Sequence, residues 1–187
     1  MHKEAIKKKL RGLLSEKRYE HCLAVAKTAV RLAKIHSADP KKAETAGLLH
    51  DCAKRMSNEV LLACSKRLKL PVDKVESLQP KLLHSFVSAY TAKKDFGIKD
   101  KDTLNAIAHH TSGRIKMSKL EKIVYISDHI EPGRKYRNVS KMRAAAKKNL
   151  DRAIVLVSSE MMKYLLQKGV PIFAQTLMTR NYYLNNG

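Results

Sequence analysis

The chain has 187 residues, enough for one ordinary domain with a substantial hydrophobic core. No apolar run approaches the roughly 20 residues that span a bilayer, and no signal-peptide hydrophobic segment follows the charged N-terminus. The 38 Lys and Arg residues against 17 Asp and Glu give a formal net charge of +21, which attracts polyanions such as nucleic acid, an anionic membrane or a polyphosphorylated small molecule. Cys22, Cys52 and Cys64 are odd in number and lack CxxC spacing, so we expect no disulfide framework, no zinc knuckle and a cytoplasmic location.

The pattern along the chain predicts an all-α fold, because glycine and proline fall mostly between apolar-periodic segments and no β-branched run alternates convincingly. Asp39 followed by Pro40 predicts a helix start, Ser118 and Glu121 have capping-box spacing, and Gly169 predicts a helix stop. The predicted helices span 3–14, 17–36, 40–53, 58–69, 81–95, 102–110, 119–130 and 140–168, with a short helical turn around 72–78. The tail after Gly169 is expected to pack back on the rest, so that residues 1–187 form one compact helical bundle.

Histidines and carboxylates recur where these apolar helices run or end. A single histidine on an apolar face is more often a hydrogen-bonded core residue than a ligand. Asp128 is harder to explain in that way, since a carboxylate in an apolar helix is costly to bury unless a cation meets it. Together these side chains supply the donors that zinc, iron or manganese accept, in about the number that two metals need. The residues concerned are His21, His50, Asp51, His84, His109, His110 and Asp128.

The adjacent pair His50 and Asp51 is the most specific part of this pattern. Neighbouring helix residues point about 100° apart, so both reach one centre only if it lies beyond the helix end or between helices. Asp51 would then offer one oxygen to each of two metals.

Six short segments, in this order, carry a resemblance that covers nearly the whole chain from about Arg18 to Asn181. They are RYEH, LLHDCAK, LLHS, HHTSGR, YISDHIEPGR and the tail PIFAQTLMTRN. The chain resembles the HD-domain metal-dependent phosphohydrolases, and within them it is similar to the YqeK family. Members of that family are described as symmetrical bis(5′-nucleosyl)-tetraphosphatases, which split diadenosine tetraphosphate into two ADP.

The resemblance implies a single HD domain over 1–187, with metal-site helices at about 17–130 and a long C-terminal helix and tail at about 140–187. It implies two divalent metal ions, usually iron, with manganese or zinc as alternatives. His109 is then expected to be structural, and His129 to support a ligand from behind or to be exposed. The ligands implied are His21, His50, Asp51, His84, His110 and Asp128.

The expected chemistry is attack of a metal-bridging hydroxide on the polyphosphate, with Asp51 and Lys54 as catalytic residues. Thr111 lies in a Thr-Ser-Gly turn that could form a phosphate nest, and Phe173 with Thr176 could close over a base. Each arginine taken alone is more often an ordinary surface residue, and Phe173 alone is equally explained by core packing. The predicted substrate contacts are Arg18, Lys54, Thr111, Arg114, Arg134, Phe173 and Thr176.

Two alternatives stay open at this point. One is another HD phosphohydrolase acting on a guanosine alarmone, a nucleoside monophosphate or a cyclic dinucleotide. The other is a basic helical module associated with RNA or the ribosome, which the charge favours but no RNA-binding motif supports. No P-loop or dinucleotide-binding glycine motif is present. The metal identity, the preference between adenine and guanine, and the choice between a monomer and a homodimer are not decided by the sequence.

Overall fold

The computed structural model describes residues 3–186, and within that range every regular element is a helix, which confirms the all-α prediction. A 3-10 turn at Pro80–Leu83 leads directly into the sixth α-helix. The helices are α1 (Lys3–Leu13), α2 (Glu16–Ile35), α3 (Pro40–Leu49), α4 (Asn58–Arg67), α5 (Lys74–Leu78), α6 (His84–Phe96), α7 (Lys101–Ala108), α8 (Lys119–Ile130), α9 (Val139–Lys148), α10 (Leu150–Gln167) and α11 (Ala174–Asn186).

Local capping chemistry explains where the functionally important helices begin. The Asp39 carboxylate accepts hydrogen bonds from two backbone N–H groups of α3, whose first residue is Pro40. Ser118 and Glu121 form a reciprocal capping box at the start of α8. Both predicted helix starts are therefore confirmed.

Two predicted helices end differently in the structure. The helix predicted at 40–53 stops at Leu49, and turns follow, so His50 and Asp51 lie at and just beyond a helix end. The helix predicted at 140–168 is wrong as a single element, because Asn149 adopts an extended conformation (φ −151°, ψ 117°) and its side chain caps α10 through the N–H of Arg152. Asparagine competes with the helix backbone in this way, while the apolar periodicity continues across the break and hides it.

The tail packs on the rest of the molecule as expected, and it does so as an additional helix, α11, against α10. The Tyr183 hydroxyl accepts a hydrogen bond from the N–H of Met117 at 2.6 Å, and Thr179 Oγ1 donates to the carbonyl of Ser112 at 3.0 Å. These two bonds fix α11 to the loop that follows α7.

Helix α2 packs closely against α3 because Gly47 has no side chain. A Cβ atom at Gly47 would lie 2.7 Å from the Cα of Ala26, so only glycine permits this approach. The contact brings the end of α3, with His50 and Asp51, up to the part of α2 that carries His21. Close helix packing thus positions the first elements of the candidate site.

Within residues 3–186, no helix combines the length and the apolar character needed to cross a membrane. The assignment of 1–187 to one HD domain stays a prediction, and Met1, His2 and Gly187, which it includes, lie outside the described residues.

Candidate metal centre and its cavity

The structure brings together all six side chains that the sequence predicted as metal ligands. His21 Nε2 lies 2.9 Å from Asp128 Oδ1, and His84 Nε2 lies 3.0 Å from Asp51 Oδ1. His110 Nε2 lies 3.5 Å from the same Asp51 oxygen, while His50 Nε2 lies 3.6 Å from the other one. The six residues come from α2, the turn after α3, the start of α6, the turn after α7, and α8. Residues far apart in the chain therefore form one donor cluster, made of His21, His50, Asp51, His84, His110 and Asp128.

Asp51 lies at the centre of the donor cluster. One set of close donor atoms consists of His21, His50 and Asp51, and another consists of Asp51, His84 and His110, each with all atoms within 4.8 Å. A third set joins His50, His110 and Asp128. Because the first two sets share only Asp51, its two oxygens are suited to two neighbouring cations.

The backbone fixes the orientation of three imidazoles. The Nδ1 atom of each lies close to the carbonyl oxygen three residues earlier, at 2.8 Å for His50, 2.5 Å for His84 and 2.7 Å for His110. A carbonyl oxygen only accepts, so each Nδ1 carries the proton and each Nε2 presents a lone pair to the donor cluster.

Several of these inward-facing atoms are buried without a hydrogen-bond partner, namely His21 Nε2, His50 Nε2 and Asp51 Oδ1. In addition, the Nε2 atoms of His84 and His110 lie 3.1 Å apart with their lone pairs facing each other. An unsatisfied buried polar group typically costs about 1–3 kcal/mol. Divalent cations would satisfy all of these atoms at once, so the donor set fits a metal centre.

Burial also keeps the imidazoles in the form that binds metal. Burial lowers the pKa of His50 to about 3 and that of His84 to about 4, so both rings are neutral at pH 7. For Asp51, burial raises the pKa, but the neighbouring His50, His110, His84 and Lys54 together hold it well below its usual range. Neutral imidazole and ionised carboxylate are the states that bind metal ions.

Glu131 is a part of this site that the sequence analysis missed. Its side chain is buried, and Oε1 lies 3.3 Å from Nδ1 of His21. The other oxygen accepts a hydrogen bond from the N–H of Gly133, which holds the carboxylate in place. A carboxylate behind a ligating histidine commonly fixes the ring and raises its basicity. The available signal was a glutamate directly after the apolar helix that carries Asp128.

A cavity of about 910 Å³ opens onto the donor cluster, reaching Asp51, His110 and Asp128. Six of the seven predicted substrate contacts line it. The predicted contacts in this lining are Arg18, Lys54, Thr111, Arg134, Phe173 and Thr176. Other residues of the lining were not predicted from the sequence, and several of them lie on α9, on α10 and just before α9. These include Tyr136, Arg137, Lys141, Lys163 and Tyr164.

The three predicted cations of the cavity lie directly at the donor cluster. An Nη atom of Arg18 is 2.8 Å from Asp51 Oδ2, and one of Arg134 is 2.6 Å from Asp128 Oδ1. Lys54 Nζ is 3.0 Å from His84 Nε2 and 3.8 Å from Asp51 Oδ1. Each cation therefore contacts a donor and faces the cavity.

Arg114 is not brought to this cavity. Its guanidinium forms a two-point ion pair with Glu121, at 2.6 and 3.0 Å, and Glu121 is also the capping-box residue of α8. In the predicted phosphate nest, the N–H of Gly113 donates to the carbonyl of His109 and so is engaged within the turn. Arg114 was predicted to contact substrate because it follows the Thr-Ser-Gly turn after His110, whereas in the structure its charge pairs with Glu121 at the start of α8.

The two histidines adjacent to predicted ligands have different environments. His109 is half-buried and packs edge-on against Phe86, with ring centroids 5.7 Å apart. His129 is buried, with its ring centroid 5.3 Å from that of Tyr125, and it lines the cavity beside Asp128. The alternative of an exposed His129 is therefore wrong.

The chain was compared with protein families, curated proteins and solved structures. Residues 18–133 match the model of the HD domain. The chain is 38% identical to a symmetrical bis(5′-nucleosyl)-tetraphosphatase of Bacillus subtilis, with 92% of each chain covered, and 42% identical to one of Halalkalibacterium halodurans, with 91% of each covered. A crystal structure from Clostridium acetobutylicum, described as a predicted HD superfamily hydrolase involved in NAD metabolism, is 40% identical and superposes with a TM-score of 0.96, covering 100% of this chain and 99% of that one.

Proposed function

The chain belongs to the HD-domain family, and on this premise we propose that it is a metal-dependent symmetrical bis(5′-nucleosyl)-tetraphosphatase. Its substrate would be diadenosine tetraphosphate, and its product two molecules of ADP. The curated relatives that carry this name are 37–42% identical to the chain and are covered over more than nine tenths of their length.

One observation supports the proposal most strongly, namely that Asp51 joins two sets of buried donors at the wall of a cavity lined with cations. Single-metal sites do not need a carboxylate shared in this way. A polyphosphate carries charge on every phosphoryl group, so it needs both the cations of the lining and the metals.

We assign the two ions to His21, His50, Asp51, His84, His110 and Asp128, and propose iron, with manganese or zinc as alternatives. Bound there, divalent ions supply a water nucleophile of lowered pKa and neutralise charge on the phosphoryl oxygens. The carboxylate of Glu131 accepts a hydrogen bond from Nδ1 of His21, which leaves the lone pair of this ring on Nε2, facing the donor cluster.

The remaining residues of the cavity bind and orient the substrate. Lys54 lies close to both His84 and Asp51, and we propose that it stabilises charge on the phosphoryl group being transferred. Arg18 and Arg134 would hold the flanking phosphates through charge-assisted hydrogen bonds. Phe173 offers an aromatic face for a base, while Thr111 and Thr176 offer hydroxyl groups.

Two further expectations keep the status of predictions. Cys22, Cys52 and Cys64 are all free thiols, which supports a reducing, cytoplasmic location. A homodimer, and the binding of nucleic acid that the net charge of +21 would favour, stay predictions in the same way.

The proposal is tested by product analysis. The protein is purified without oxygen, supplied with Fe²⁺ and incubated with diadenosine tetraphosphate, and the nucleotides are separated by chromatography. ADP as the sole product supports the symmetric cut. AMP with ATP would contradict it, and turnover confined to a guanosine alarmone would favour a different HD phosphohydrolase.

A further inference from the structure

A second cavity, of about 500 Å³, adjoins the first along the donor cluster. Arg18 and Arg134 line both cavities. Since Arg18 contacts Asp51 and Arg134 contacts Asp128, the boundary between the two cavities follows the proposed metal ligands. The rest of the smaller cavity comes from the start of α2 and the turn after α8. Its other lining residues are Ser15, Lys17, Glu20, His21, Ala24, Glu131 and Gly133.

Symmetric cleavage imposes a requirement that this arrangement meets. Water adds to one of the two central phosphorus atoms, the bridging P–O bond breaks, and both halves leave as ADP. The bond that breaks therefore joins two nucleoside diphosphate units, and both units need space next to the metals. The two cavities have volumes of about 910 and 500 Å³, and both fall in the range of about 300–1,000 Å³ that is typical of ligand pockets.

We propose that the smaller cavity holds the second nucleoside diphosphate half of the substrate while the larger cavity holds the first. This inference rests on the function proposed above. It adds a substrate site in a cavity whose lining includes only two of the predicted substrate contacts, Arg18 and Arg134.

The lining of the smaller cavity suits a phosphorylated nucleoside. The shared arginines reach the central phosphates from both sides, and the exposed Lys17 adds a further positive charge. Glu131 does not repel the phosphates freely, because its oxygens are engaged by Gly133, His21 and Arg134. The exposed Glu20 and Ser15 side chains offer acceptors for ribose hydroxyl groups.

The two cavities differ in how they would hold a base. The larger one includes Phe173 and Tyr164, which offer aromatic faces for stacking. Among the described residues that line the smaller cavity, the only ring is that of His21, which belongs to the donor cluster. The second base is therefore held with little stacking, and the two halves of the substrate bind with unequal strength.

Two variants test the assignment in the full-length, metal-loaded protein. Ala24→Leu fills the smaller cavity and replaces no proposed ligand, although Ala24 lies one helical turn from His21, so the metal content of this variant is measured as well. Lys17→Ala removes an exposed charge from the rim of the cavity. Lys27→Ala is the matched control, because it removes an exposed lysine from the same helix outside both linings. Binding of ADP is measured by titration calorimetry, and KM is measured with diadenosine tetraphosphate.

We expect the unaltered protein to bind two ADP per chain and Ala24→Leu to bind one, with KM raised about tenfold. Lys17→Ala should weaken the second ADP and raise KM about threefold to tenfold, while Lys27→Ala should change neither. If circular dichroism shows that Ala24→Leu is not folded, the comparison of Lys17→Ala with Lys27→Ala decides.

The assignment would be overturned if the unaltered protein bound a single ADP per chain. It would also be overturned if Ala24→Leu and Lys17→Ala left both the second ADP and the KM unchanged. Both results would place the whole substrate in the larger cavity. Failure of the unaltered protein to release ADP from diadenosine tetraphosphate would instead contradict the proposed function itself. The two failures are thus distinguishable by the turnover of the unaltered protein.

Discussion

Two opposite walls of the larger cavity, here called the donor wall and the far wall, differ in how deeply their polar side chains are buried. The donor wall consists of the donor cluster on α2, α6 and α8 and in the turns after α3 and α7, and its His50, Asp51 and His84 are buried. The far wall consists of α9, α10, the loop that carries Phe173 and the start of α11, and here Tyr164 is 53% exposed and Lys163 is an exposed lysine. Buried polar groups are costly and must be explained by a partner, whereas exposed ones cost nothing. The donor wall therefore stands out in the sequence, whereas of the far wall only Phe173 and Thr176 were predicted, and those through the family resemblance.

This difference also predicts how the walls respond to substitution. Changes in the donor wall should remove metal, and with it the rate of reaction. Changes in the far wall should leave metal in place and alter only the binding of substrate.

The largest effect is expected for Asp51→Ala, because Asp51 is the carboxylate shared by two donor sets. We expect loss of both ions and a fall of kcat to background, with the helical circular dichroism spectrum retained. Metal content by mass spectrometry and turnover of diadenosine tetraphosphate are measured on the same sample. Two ions per chain with normal turnover would refute the shared-carboxylate arrangement.

Next, His110→Ala is compared with its neighbour, His109→Ala. Only His110 presents Nε2 to the donor cluster, while His109 packs against Phe86. Loss of a group that merely supports a ligand costs about 10–100-fold in metal affinity or activity, so His110→Ala should cost at least that much. His109→Ala should stay within a few-fold of the unaltered protein. Equal kcat values in the two variants would show that the wrong imidazole has been assigned.

An intermediate effect is expected for Lys54→Ala, which removes a cation at the boundary between metal binding and substrate binding. A charge-assisted hydrogen bond contributes about 1.5–3 kcal/mol, so kcat/KM should fall roughly ten- to a hundredfold, mainly through kcat, with metal content unchanged. Arg55→Ala is the control, since Arg55 is exposed, next in sequence and outside the cavity lining. Loss of metal in Lys54→Ala would instead assign this lysine to the support of the donor cluster.

The smallest effect is expected at the far wall. Phe173→Ala should raise KM about twofold to tenfold at unchanged kcat and metal content, because an aromatic contact typically contributes about 0.5–1.5 kcal/mol. Val170→Ala, in the same loop but outside the cavity lining, should have no effect on KM. A fall in kcat without a change in KM would mean that Phe173 acts on the reaction rather than on the base.

Much of the fold and of the donor cluster could be predicted from the sequence, for a physical reason. Helix starts at Pro40 and after Ser118 depend on local hydrogen bonds, and the donors stand out as polar residues in apolar helices. The break at Asn149 was missed because the apolar period runs through it. Arg114 pairs with Glu121. The capping role of Glu121 was predicted from its spacing to Ser118, whereas its ion pair with Arg114 appears only in the folded chain.

The contact of Glu131 and the smaller cavity could not be predicted from the sequence. The carboxylate of Glu131 meets His21 across 110 positions in the chain, so no local pattern reveals the contact. The smaller cavity is formed by two segments that lie far apart in the chain, so no local pattern of the sequence reveals it.

The central claim is that six side chains from one donor cluster hold two metal ions. The most direct measurement is an anaerobic titration of the metal-free protein with Fe²⁺, followed by calorimetry and by metal analysis after gel filtration. The geometry predicts that the unaltered protein retains two ions per chain. It also predicts that His84→Ala loses one of them and keeps the other. Retention of a single ion by the unaltered protein, unchanged by His84→Ala, would contradict the account.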